Sequence, residues 1–186
     1  MAMTLCVGSI ALILFLSGCV SLGVSGADVA RELSQLRRAS IREGMLVPSS
    51  PASAADYKAQ LSTYKSKAAN VNDAYKAGLQ AYVNGSLALL AQDEYARATA
   101  EAIRQIDPSL PLCGNGTPST RALENIAHAK EEAQNAQSYF SIVEKDSALS
   151  NALGADYIDA VQKTLSPSIA AYDELKEKVE TNCIVS

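Results

Sequence analysis

Residues 57–82 read YKAQLSTYKSKAANVNDAYKAGLQAY. Within them Tyr57, Leu61, Tyr64, Ala68, Val71, Tyr75, Gly78 and Tyr82 return in alternating steps of four and three. A half-buried strand repeats every second residue, so this spacing predicts a helical seam of the coiled-coil kind. The fold class that follows is all-α: an antiparallel bundle of about four to five helices with coiled-coil-like packing. Four seam positions are tyrosines, each wanting a polar partner at the edge of a core. Tyr57, Tyr64, Tyr75 and Tyr82 therefore either pack with hydroxyls outward or line a groove for a peptide, glycan or apolar ligand.

Downstream, the phase of Leu79, Val83, Leu87, Leu90, Ala98, Ala102 and Ile106 can pass through Asn84-Gly85-Ser86. One helix of about 50 residues would then run some 75 Å. Asn-Gly is a strong turn signal, and a hairpin at Asn84-Gly85 is the expectation, since so long a rod would overhang its partners. Upstream, Val29, Leu33, Leu36 and Ala39 mark an amphipathic helix over Asp28–Glu43, with Arg31, Arg37, Arg38 and Arg42 on its polar side. Those arginines read as a solvated face or as a contact for anionic headgroups. Pro48 and Pro51 break the chain after it, and Ser53 with Asp56 resembles an N-cap and an acidic first turn.

Asp107–Ser119 carries three prolines and two glycines and is a loop. A helix from Thr120 to Ala148 follows, with Leu123, Ile126, Ala127, Ala133, Ala136, Phe140 and Val143 on one side. An interruption at Ser150–Gly154 precedes a last helix burying Ile158, Val161, Leu165, Ile169, Tyr172, Leu175 and Val179. Ser166-Pro167 either kinks that helix or restarts it.

The net charge of −4 belongs wholly to the residues after the N-terminal apolar run and argues against a nucleic-acid partner. Catalytic signatures are lacking. The single histidine, His128, has Glu124, Glu131 and Glu132 at helical spacing. That geometry allows a weak metal face but reads first as a solvated surface. There is no Cys-x-x-Cys and no Gly-x-Ser-x-Gly. No cofactor is expected, and no enzymatic activity.

Leu5–Leu16 is twelve mostly apolar residues, too short to span a bilayer as a helix and suited to a signal-peptide core. It ends in Leu16-Ser17-Gly18-Cys19. These residues resemble the lipobox of bacterial lipoproteins, although no Lys or Arg precedes the apolar core. The resemblance covers the leader only. It implies cleavage after residue 18 and acyl chains, such as palmitate, on Cys19, holding the protein at the bilayer without spanning it. It also implies, through Val20, the periplasmic face of the outer membrane. The expected organisation is a signal peptide over 1–18, a Gly/Ser tether over 19–27 and one helical-bundle domain over 28–186. Residues 20–27 fully stretched reach about 28 Å.

With Cys6 in the leader and Cys19 acylated, Cys113 and Cys183 remain as a disulfide candidate or as two buried thiols. A bridge would contribute ~4 kcal/mol in the chain-entropy model, and a turn near Gly154 would bring the two together. The function expected is a tethered, non-catalytic accessory or partner-binding bundle in the cell envelope. The alternative is a bundle that binds a small ligand or metal.

Overall fold

A computed structural model describes residues 24–106, 114 and 116–184, with side chains as far as Thr181. Cys19, Cys113 and the side chain of Cys183 lie outside the described residues, as does the 1–18 leader. The described chain is helical, in six helices packed against each other. They are α1 (Gly26–Ser40), α2 (Pro51–Ala69), α3 (Lys76–Arg104), α4 (Pro118–Glu144), α5 (Ser147–Leu153) and α6 (Ala155–Ile184). None of them is long and apolar enough to cross a membrane.

Helix starts follow local chemistry. Ser50, not Ser53, caps α2, because Pro51 with its fixed φ takes the first helical position and Ser50 Oγ accepts from the Ser53 N–H at 3.2 Å. The same pairing opens α4, where Thr117 caps Pro118-Ser119-Thr120 through a 3.3 Å bond from the Thr120 N–H. Asp146 caps α5 through the Leu149 N–H at 3.0 Å. Gly154 ends α5 with φ +109, a left-handed conformation that favours glycine.

Two expectations about the central stretch are corrected. The seam over 57–82 is not one helix: it breaks between Ala69 and Lys76, where Asp73 Oδ1 accepts from the Tyr75 N–H at 2.9 Å in an Asx-type turn. Asn84-Gly85 is not a hairpin, because α3 runs straight through it. Gly85 is there for space. A Cβ on it would lie 3.1 Å from Tyr139 Cβ and 3.1 Å from Phe140 Cε2, so glycine lets α3 and α4 approach closely. Among the described residues that interface is the most extensive, followed by α4 with α6.

On α4 the fully buried apolar positions are Ala122, Ile126, Ala129, Ala133, Ala136, Phe140 and Val143, while Ala127, expected inward, is exposed. Ala39 and Ala98 are likewise exposed. Phe140 sits at the middle of the core, edge-on to Tyr82 (5.8 Å) and Tyr157 (6.2 Å). Pro167 lies inside α6 on an exposed face, where the backbone carbonyl it leaves unpaired can meet water.

Candidate functional site

The chain enters the fold through a latch. Val24 pairs with Val71 in an isolated parallel bridge, and the Gly26 N–H donates to Asp73 Oδ2 at 2.7 Å. Asp73 thus holds the start of α1 and the turn before α3 with its two oxygens. Gly26 has no positive φ and is needed for room, since a Cβ there would stand 2.7 Å from Tyr75 Cβ and would collide with the Asp73 carboxylate. The tether expected to run to Ala27 is therefore already fixed at Val24.

The four seam tyrosines do not line one surface. Tyr57 and Tyr82 meet in the interior, both at most 2 % exposed, whereas Tyr64 and Tyr75 are half-buried. Tyr64 lies under the Lys67 ammonium (4.9 Å), which is bonded to Glu32 at 2.7 Å. That bond holds the Glu32 carboxyl below its usual range and raises Lys67. Tyr57 faces Ser86, Tyr82 and the Arg37 guanidinium. The hydroxyls of Tyr57, Tyr82 and Ser86 are buried side by side, and Arg37 Nε is buried with them. Burial pushes the Tyr57 phenol up to about 12, and it raises Tyr82 and Tyr157 as well.

Tyr157 and Arg37 complete this cluster, and neither stands out in the sequence. Tyr157 donates its hydroxyl to the Leu46 carbonyl at 2.9 Å, tying α6 to the loop after α1. Arg37 stacks its guanidinium on the Tyr157 ring at 4.7 Å. The left-handed Gly154 admits it, for a Cβ there would lie 2.7 Å from Arg37 Nη2. An inward arginine needs such an opening, which only the tertiary fold provides.

His128 is exposed on α4, stacked on Tyr95 at 4.9 Å, with Glu131 Oε2 3.9 Å from Nδ1. Among the described residues no group of three His, Cys, Asp or Glu side chains could hold a metal ion. No protein-family model matches the chain, and neither a curated protein nor a solved structure matches it.

Proposed function

We propose that this is a lipid-anchored, non-catalytic accessory protein of the bacterial envelope, an antiparallel helical bundle held at the periplasmic face of the outer membrane through Cys19. The observation that carries this reading is Leu16-Ser17-Gly18-Cys19 at the end of an apolar leader. The latch supports it: with the fold fixed from Val24, only a few residues separate the body from the acylated cysteine. Its non-catalytic character rests on a chain with one histidine and no nucleophile motif. Its work is then to hold or position a protein partner.

Antiparallel, coiled-coil-like packing is supported by two features. The buried positions of α4 are spaced four and three throughout. Pairs across the α3–α4 interface run in opposite order, Tyr82 with Phe140, Tyr95 with His128 and Gln105 with Arg121.

The test is the N-terminus of the mature protein. Intact-mass analysis of the membrane fraction is expected to find a chain beginning at acylated Cys19, and Cys19→Ser is expected to leave the protein unprocessed. A soluble wild-type chain retaining Met1 would refute the reading.

A further inference from the structure

At the end of α1 away from the latch, a cavity of about 420 Å³ lies between Arg37, Arg38 and Arg42, the following loop, and the first turn of α6 with Asp156 and Tyr157. We propose that it binds a phosphate group carried on a larger molecule, a phosphoester in solution or the headgroup of an anionic phospholipid.

Charge is the first argument. Three guanidiniums line the cavity against two carboxylates, Glu43 and Asp156. Among the described residues none of the three arginines is within ion-pair distance of a carboxylate. Exposed Arg38 and Arg42 are solvated, whereas Arg37 is half-buried, with its guanidinium over the Tyr157 ring at the cavity wall. A cation partly withdrawn from water without a counter-charge is costly, and a tyrosine face compensates only part of that cost. An anion in the cavity would supply the rest.

Positioning is the second argument. Arg37 is wedged between Gly154 and the Tyr157 ring, and Tyr157 is itself bonded to Leu46 in the loop after α1. The guanidinium is thus held in place before any ligand arrives, which lowers the ordering cost of engaging a phosphate. The N-terminus of the 30-residue α6 opens on the same cavity and adds the positive end of its dipole. The volume falls within the range of small-ligand sites, about 300–1,000 Å³, larger than inorganic phosphate needs. Met45 stands exposed on the rim, offering an apolar contact to a substituent or an acyl chain. Arg38 and Arg42 also border a second depression that contains Asp56, so their share is for the experiment to weigh.

The full chain in neutral detergent would be titrated with glycerol 3-phosphate, and with mixed micelles carrying phosphatidylglycerol or phosphatidylcholine. Calorimetry and thermal shift give the readout, with chloride at matched ionic strength as control. Saturable binding of glycerol 3-phosphate assigns the soluble source. Binding confined to phosphatidylglycerol micelles assigns the headgroup source. In either case Arg38→Ala with Arg42→Ala, both at exposed positions, is expected to weaken binding about tenfold per arginine without moving the ligand-free midpoint. Arg37→Lys keeps the charge and loses the fork, and is expected to weaken it comparably. No binding in any arm, or binding unchanged in both variants, would overturn the proposal.

Discussion

Raising the pH tests whether Tyr57, Tyr82 and Tyr157 occupy a closed interior or a wettable groove. Each is buried, and each phenol is shifted upward by that burial. In the unfolded chain they ionise near pH 10, whereas in the folded chain Tyr57 stays protonated to about pH 12 and burial raises Tyr82 and Tyr157 as well. A folded-state pKa raised above the unfolded value means that the unfolded chain releases the proton first. The stability they contribute is whole below pH 10 and is lost as the pH climbs through the folded values. The slope is about 1.4 kcal/mol per pH unit for each phenol, hence roughly 4 kcal/mol per unit for the three. Against a typical domain stability of about 5–15 kcal/mol, that suffices to unfold the bundle between about pH 11 and 13. Far-ultraviolet circular dichroism and phenolate absorbance would be followed together. The expected result is that the three buried phenols ionise only in register with helix loss. Tyr57→Phe should remove one proton from that step. Full phenolate absorbance on an intact helical spectrum would refute the closed interior and revive the groove.

Other perturbations separate space from backbone preference. Gly26→Ala should destabilise by about 1–3 kcal/mol in urea unfolding through the collision with Asp73 and Tyr75. Helix propensity alone predicts a gain of up to ~1 kcal/mol, so the sign decides. Asp73→Ala removes two carboxylate bonds to backbone N–H groups and should cost about 2–4 kcal/mol in the same assay. Gly85→Val should cost about 2–3 kcal/mol by forcing α3 from α4, while Asn84→Ala is neutral or slightly stabilising; a loss at Asn84 would favour a turn there. Mass mapping of unreduced mature protein should find Cys113 bridged to Cys183, with reduction lowering stability by ~4 kcal/mol; alkylation of both thiols without reductant would contradict it.

What could be read from the sequence depends on the range of the cause. The large apolar positions of α1 and α6 were legible because they are set by spacing: Val29, Leu33 and Leu36, and Ile158, Val161 and Leu165, are all buried. Of the interruption expected over Ser150–Gly154 only Gly154 breaks the helix: Ser150–Leu153 lie in α5, and the break before it falls at Lys145 and Asp146. Asn84-Gly85 misled because a glycine that lets two helices touch has the same letter as one that turns the chain. The real break is an Asx-type turn at Asp73, reinforced by the same carboxylate's bond to Gly26, and a four-three spacing that runs through it hides it. The candidate sites failed in the same way: periodicity indicated that Tyr57 and Tyr64 face inward, but not that only the first is sealed off. Arg37 was assigned to the polar face because its way inward is opened by Gly154, far along the chain.

The latch and the arginine cavity constrain one another if Cys19 is acylated. Five residues from Cys19 to Val24 span at most about 18 Å, so the latch end of α1 stays close to the lipid. Arg38 lies twelve residues beyond Gly26, about 18 Å further along the helix. An upright bundle would lift the cavity away from the headgroups and leave it to soluble phosphoesters, whereas a bundle lying with α1 along the surface would bring Arg38, Arg42 and Met45 down to them. The source of the phosphate and the tilt of the body are therefore one question, and the choice between glycerol 3-phosphate and phosphatidylglycerol micelles answers both.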